Sequence, residues 1–161
     1  MTKTFKRIIF AAIMLILIAG IACALVLASG LSTTAGEPLA DVKNGFVNTA
    51  LDVSGIKDRV DSELRSKAGK LAEKAGIPEV LAESVVDSID VKDWKATSLP
   101  EGVTAAGTYA ITAGGIDMKV TTYDNPSVVT VGAYGQEVTM AVPESAQIYV
   151  PYLEYLQYLK Q

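Results

Sequence analysis

Residues 107–142 read GTYAITAGGIDMKVTTYDNPSVVTVGAYGQEVTMAV and alternate apolar with polar side chains in four runs. Alternation with a period of two is typical of β-strands that bury one face. The runs are separated by residues 114–115 (GG), 124–127 (DNPS) and 135–136 (GQ), which suit tight turns between antiparallel strands. The stretch therefore predicts a four-stranded antiparallel meander.

The same turns predict the register of the strands. They place the following residues opposite one another: Ile111 and Met118, Tyr109 and Val120, Val120 and Val131, Ala133 and Val138, and Val131 and Met140. Directly opposed residues share a face of the sheet, so these apolar side chains all fall on one face. A slip of one residue would move them to the polar face. The apolar face needs a cover, and we expect helices to supply it.

Three amphipathic helices are predicted before the sheet. Their expected bounds are about 38–53, 56–75 and 78–89, and apolar residues recur in each at every third or fourth position. Residues 94–106 break that pattern and are predicted to link the helical unit (38–93) to the sheet. The expected fold class is α+β, with the meander and a carboxy-terminal helix within residues 107–161.

The chain ends in YVPYLEYLQYLKQ, in which tyrosine stands at 149, 152, 155 and 158. At 100° per residue an α-helix spreads these rings over half of its circumference. We expect that helix to begin near Pro151 and to lay four residues on the apolar face of the sheet, namely Tyr149, Tyr152, Leu156 and Leu159. Tyr155 and Tyr158 then lie at the edge, where they offer a contact surface. A 3₁₀ helix would align all four rings, but such runs are usually short.

An uncharged apolar segment of 24 residues, Ile8–Leu31, precedes the helical unit. As a helix it would reach about 36 Å, enough to cross a hydrocarbon layer of roughly 30 Å. Three basic residues stand before it, and none follows until Lys43. This asymmetry predicts a cytoplasmic amino terminus and an extracytoplasmic domain. We favour a single-pass signal anchor in residues 1–31, followed by a linker at 32–37.

Two further features of the apolar segment bear on this prediction. Small residues at 28–30 and 33–35 would permit cleavage of a signal peptide, and the domain would then be secreted. On an uncleaved anchor, Gly20, Ala24 and Ala28 share one face of the helix. Small residues four positions apart let membrane helices approach closely, so this face could pair two copies of the chain.

Composition excludes several kinds of chemistry. The chain has no histidine, and its one cysteine, Cys23, lies within the apolar segment. Histidine-based triads, histidine-ligated zinc and thiol chemistry in the exported part are therefore excluded, and we predict no cofactor and no metal. Of the 14 basic residues three precede the apolar segment, so 11 basic and 18 acidic residues follow it, a formal charge of −7.

That negative charge disfavours nucleic acid as a partner. Residues 71–89 resemble the helix-turn-helix of DNA-binding regulators, but the stretch 78–91 carries four acidic residues and no basic one. A helix of that charge would be repelled by phosphates. A plain helix–turn–helix packing unit is the preferred interpretation.

The leading functional prediction is a non-catalytic envelope protein whose extracytoplasmic domain interacts with a protein or cell-wall partner. The alternative is a small-ligand or glycan-binding domain that uses aromatic surfaces at Trp94, Tyr134, Tyr155 and Tyr158. For Trp94, a plug between core layers is the simpler interpretation.

The third hypothesis is a carboxylate-based hydrolase built on Asp87, Asp90 and Asp93. It requires two carboxylates that face each other across a cleft at about 5–10 Å. A solvated helix end is the simpler interpretation of these three residues.

Overall fold

The computed structural model describes residues 18, 20, 21, 40–76, 78–113 and 115–158. For some helix and strand residues, among them 40–43, 46 and 155–158, only the backbone is described. The predicted linker at 32–37 lies outside the described residues, as does most of the apolar segment.

Three α-helices come first, with the bounds α1 (Ala40–Val53), α2 (Ile56–Ala75) and α3 (Glu79–Ile89). They confirm the predicted helices, although the predicted start of α1 at residue 38 lies outside the described residues. Gly55 (φ 70°) and Gly76 (φ 65°) end α1 and α2 in the left-handed conformation, which glycine adopts without a Cβ clash. The buried residues recur at helical spacing and include Val47 and Leu51 of α1, Ile56, Val60, Leu64 and Ala68 of α2, and Val86 and Ile89 of α3.

A 3₁₀ turn (Val91–Asp93) leads from α3 into an antiparallel sheet of five strands. The strands are β1 (Lys95–Thr97), β2 (Ala105–Ala113), β3 (Ile116–Tyr123), β4 (Val128–Ala133) and β5 (Gln136–Ala141), in the spatial order β1-β5-β4-β3-β2. Strands β2–β5 form the predicted meander. Strand β1 lies within the stretch 94–106, for which a linker was predicted, because three residues are too few to show an alternating pattern.

The register of the first hairpin and of the β3–β4 pair is as predicted, with Ile111 opposite Met118 and Val120 opposite Val131. The second hairpin differs: Val131 lies opposite Val138, not Met140. Its turn is at Tyr134 (φ 54°) and Gly135 (φ 73°), since a type I′ turn needs positive φ at both central residues and favours glycine at the second. The shift of two residues keeps every side chain on its predicted face.

The carboxy-terminal segment is a short helix α4 (Glu144–Gln147) followed by a 3₁₀ helix (Val150–Tyr158), not the α-helix predicted from Pro151. The 3₁₀ helix contacts β2 and β3, so a carboxy-terminal helix does cover part of the apolar face. With three residues per turn, Val150 and Leu153 share one side, and both are buried.

The core lies between the helices and the apolar face of the sheet. From the sheet it includes Ile111, Met118, Val120, Val129, Val131, Val138 and Met140. It also includes Ile18 and Ile21 of the apolar segment, which are helical and buried. Among the described residues, no helix is both long enough and apolar enough to cross a membrane.

Candidate binding surface

The face of the sheet opposite the core carries one threonine from each strand, and we call these five residues the threonine row. The strand registers place Thr97 opposite Thr139, Thr139 opposite Thr130, Thr130 opposite Thr121, and Thr121 opposite Thr108. The hydroxyls of Thr130 and Thr139 lie 2.8 Å apart, and the Tyr123 hydroxyl lies 2.7 Å from that of Thr130. Cross-strand threonine pairs stabilise antiparallel sheets. The Thr130 hydroxyl is hydrogen-bonded to Thr139 and Tyr123, so the row links neighbouring strands. It forms a flat polar floor on this face of the sheet.

An open hollow of about 520 Å³ lies beside the threonine row, and we call it the sheet-face hollow. Gly132, two residues from Thr130 on β4, forms its floor, with Lys119 opposite on β3 and Glu137 opposite on β5. A Cβ on Gly132 would lie 3.3 Å from Cγ of Glu137. The absence of a side chain at this position is therefore what keeps the floor open.

Tyr134 lines the sheet-face hollow and leaves 60% of its surface in water. It occupies the first central position of the β4–β5 turn, where its φ of 54° is uncommon for a residue with a side chain. A two-residue turn between paired strands is well fixed, so a ligand that stacks on this ring would lose little affinity to ordering of the chain. Of the two predicted binding aromatics whose side chains the structure describes, Trp94 and Tyr134, only Tyr134 is exposed beside a hollow.

Charged groups of both signs border the sheet-face hollow. Nζ of Lys119 lies 4.0 Å from Oε1 of Glu137, and both side chains are more than half exposed. The Thr112 hydroxyl donates a hydrogen bond to Asp117 at 2.7 Å. An exposed ion pair at this distance adds little to stability. The border of the hollow thus presents donors and acceptors that suit a ligand with hydroxyls, amides or a zwitterion.

Sequence reasoning pointed to Tyr134 but missed Gly132, Lys119 and Glu137. The predicted turn at 135–136 paired Gly132 with Thr139, which put the glycine beside the wrong neighbour. The turn at 134–135 brings Gly132 between Lys119 and Glu137. The signal that could have found the site was the preference of type I′ turns for glycine at their second central position.

The other predicted site residues lie elsewhere. Trp94 is only 2% exposed, and its Nε1 donates a hydrogen bond to the carbonyl of Ile89 at 2.7 Å. The structure thus corrects the prediction of a stacking surface at Trp94, because its ring is enclosed by the core. Tyr155 and Tyr158 lie within the carboxy-terminal 3₁₀ helix, and their side chains lie outside what the structure describes. Gly20 lies against α2, while Ala24 and Ala28 are outside the described residues.

The acidic residues at the end of α3 have two different surroundings. Asp87 accepts a hydrogen bond from Arg65 at 2.8 Å, which ties α3 to α2. Asp90 and Asp93 line a second hollow, of about 700 Å³, with Lys95 and Glu144. The hydrolase hypothesis, which requires two carboxylates that face each other across a cleft at about 5–10 Å, stays a prediction. Within the described part of the chain, no cluster of three or more acidic, histidine or cysteine residues is arranged to hold a metal ion.

Burial raises the pKa of Asp90 above the ordinary aspartate value, and the charge and hydrogen bond of Asp93 raise this pKa further. Asp90 also adopts a left-handed backbone, with φ at 50°. A raised pKa means that the folded chain binds the proton more tightly than the unfolded chain does. The Asp90 carboxylate therefore destabilises the fold at pH values above its raised pKa. This penalty disappears as the pH falls below the ordinary value of about 3.9.

Asp90→Asn is therefore expected to raise the melting temperature at pH 7 by about 2 °C, because it removes the charge and asparagine tolerates the left-handed backbone. Melting curves recorded from pH 3 to pH 8 should show the gain shrinking toward acid. Asp90→Ala is the control, since it removes the charge but fits a positive φ less well, and it should gain less. A gain from Asp90→Asn that stays constant over the whole pH range would contradict this account.

Comparison of the chain with protein-family models, with curated proteins and with solved structures gives no match.

Proposed function

We propose that the protein is a non-catalytic, exported envelope protein whose domain binds an extracytoplasmic protein or cell-wall partner through the sheet-face hollow. Tyr134 carries this proposal, because it is a large, exposed ring on a fixed turn beside an open floor. Large exposed aromatic side chains are enriched where proteins bind ligands and partners. Export and membrane attachment are assigned to the apolar segment 8–31, on the strength of its length and of the basic residues before it.

A glycan is the ligand class that the sheet-face hollow fits best within this proposal. Sugar rings present an apolar face and a rim of hydroxyls, which match an aromatic ring beside groups that donate and accept hydrogen bonds. Tyr134 supplies the ring, Lys119 supplies donors, and Asp117 and Glu137 supply acceptors. The flat polar floor next to the hollow would also accommodate an extended polymer. A peptide or protein partner is the competing occupant.

Tyr134→Ala is expected to weaken retention on the partner at least tenfold, since removal of an anchoring aromatic at a binding site often costs more than 1.4 kcal/mol. The measurement is pull-down of the full chain, solubilised in detergent, on purified cell-wall sacculi and, in parallel, on immobilised envelope proteins. Retention on the sacculi would support the glycan, and retention on the protein fraction alone would support the protein partner.

Two control variants separate the ring from its surroundings. Tyr134→Phe keeps the aromatic face and should retain most of the binding. Ile148→Ala removes another large exposed apolar side chain, one that does not line the sheet-face hollow, and should bind as the wild type does. Equal retention of Tyr134→Ala and Ile148→Ala would remove the support for this surface.

A further inference from the structure

An apolar groove runs between α2 and the sheet, and residues of the apolar segment occupy it. The groove is lined by Leu51, Ile56, Val60, Val91, Trp94 and Met140, together with the aliphatic part of Lys57. Gly20 and Ile21 lie against these residues, and the space left between them is about 10 Å³. Since a water molecule needs at least about 10–15 Å³, the remaining space holds at most one water molecule.

The fit of the occupant depends on a glycine. A Cβ on Gly20 would lie 2.4 Å from Cγ2 of Val60 and 3.6 Å from Cγ2 of Ile56, so any larger residue would clash with α2. On either side of this contact, Ile18 and Ile21 are each 2% exposed. A helix therefore approaches α2 closely at Gly20 and buries its isoleucines in the same core that holds Trp94 and Met140.

This position is incompatible with a membrane span of the same segment. Ile18 lies ten residues after Ile8, which is about 15 Å along a helix and half of a hydrocarbon layer. The centre of a spanning segment must lie among lipid chains. Ile18, Gly20 and Ile21 cannot lie there and also fill a groove that is closed on its far side by the sheet.

We propose that the groove is an intramolecular seat for Ile18, Gly20 and Ile21, so that the apolar segment has two mutually exclusive positions, docked in the domain or inserted in the bilayer. When the segment is inserted in the bilayer, the groove is empty, and Val60, Trp94 and Met140 are exposed on its surface. The observation behind this inference is the burial of Ile18 and Ile21, which is independent of the binding role proposed for Tyr134.

The test of the docked position is a double-mutant cycle in the full chain, solubilised in mild detergent. Gly20→Ala adds the Cβ that meets Val60, and Val60→Ala removes both γ carbons. We expect Gly20→Ala to lower the melting temperature by about 3 °C or more in the native background and by much less in the Val60→Ala background. Equal shifts in the two backgrounds would show that Gly20 does not touch Val60 and would overturn the proposal.

Gly45→Ala is the matched control for the glycine substitution. Gly45 lies inside α1, and nothing approaches within 4 Å of the position of a Cβ there. Alanine is the better helix former, so this variant should melt slightly higher than the wild type.

A coupling between Gly20 and Val60 found only in a dimeric fraction would place the segment in a second copy and would contradict the intramolecular seat.

The inserted position is tested by the fluorescence of Trp94, the one tryptophan of the chain, which lines the groove. In detergent-solubilised protein with the segment docked, acrylamide should quench this fluorescence weakly. After reconstitution into phospholipid nanodiscs, quenching should rise at least twofold because the groove is vacated. Weak quenching in both preparations would show that the segment keeps one position and would overturn the exchange.

Discussion

Trp94→Ala is expected to lower the free energy of unfolding by about 3–5 kcal/mol, the largest effect of any single substitution considered for this chain. Trp94 is 2% exposed and lies where the 3₁₀ turn after α3 meets the sheet, so its removal leaves a cavity among both layers of the core. The carbonyl of Ile89 also loses the hydrogen bond from Nε1. Since domains of this size are stable by only about 5–15 kcal/mol, we expect the variant to unfold at markedly lower urea concentration.

Far-UV circular dichroism during urea unfolding measures this effect without relying on tryptophan fluorescence. Trp94→Phe refills most of the cavity but leaves the Ile89 carbonyl without its donor, so a smaller loss of about 1–2 kcal/mol is expected. Tyr134→Ala, at an exposed position, should change stability by less than about 0.5 kcal/mol. Similar losses for Trp94→Ala and Tyr134→Ala would mean that Trp94 does not join the helical unit to the sheet.

The sequence pattern predicted the helices and most of the strand pairing because these features depend on local periodicity. Both α2 and α3 bury residues three or four positions apart, and glycines stand where the first two helices end. The registers of β2 with β3 and of β3 with β4 followed from matching apolar residues across the sheet. Because one face of the sheet is buried, a slip of one residue would expose its apolar side chains to water. The alternation of apolar residues therefore predicted the register.

Matching apolar residues across the sheet does not determine the register of the second hairpin. A register shifted by two residues places the same side chains on the same face, so apolar alternation does not distinguish Val138 from Met140 as the partner of Val131. Only the backbone conformation of the turn distinguishes them, and it requires Tyr134 to adopt a positive φ. Tyrosine rarely adopts this conformation, which is why the turn was predicted one residue later.

The prediction of a carboxy-terminal α-helix was wrong for a related reason. Val150, Tyr152 and Leu153 suit an α-helix and a 3₁₀ helix equally in composition, and 3₁₀ runs of nine residues are uncommon. Tertiary packing against β2 and β3 favours the tighter helix here, because it aligns Val150 with Leu153 on the buried side.

The candidate binding surface could be predicted only in part. Tyr134 was recognisable as an aromatic residue near a turn, but the sheet-face hollow depends on the neighbours of Gly132 across two strands. A position without a side chain gives no signal of its own until the exact register is known. The buried state of Trp94 likewise depends on how the helices and the sheet meet, which no local pattern specifies.

Strand β1 was not predicted from the sequence. Its outer edge is bound by the side chain of Asn48 on α1. The amide of Ala96 donates a hydrogen bond to Oδ1 of Asn48 at 2.6 Å, and Nδ2 of Asn48 donates one to the carbonyl of Ala96 at 3.1 Å. The asparagine side chain thus takes the place of a further strand at an edge whose backbone groups would otherwise be unpaired. A strand of three residues depends on such an external partner.

Asn48→Ala is therefore expected to destabilise the domain by about 2–3 kcal/mol, because it leaves a partly buried N–H and a partly buried C=O of Ala96 without partners. The gain in helix propensity from alanine offsets only about 0.5 kcal/mol of this loss. Asn44→Ala is the matched control, since Asn44 lies one turn earlier on α1 and makes a single exposed hydrogen bond to Ser98 at 3.4 Å. It gains the same helix propensity and should change stability by no more than about 0.5 kcal/mol.

Urea unfolding of the two asparagine variants isolates the contribution of the Asn48 contacts, because helix propensity cancels in the comparison. Hydrogen exchange adds a local measurement: the Ala96 amide should exchange at least tenfold faster in Asn48→Ala than in Asn44→Ala. If Asn48→Ala proves no less stable than Asn44→Ala and the Ala96 amide stays protected, then pairing with β5 alone holds β1 in the sheet. The bridge from α1 would then be a consequence of the packing between α1 and β1, not one of its causes.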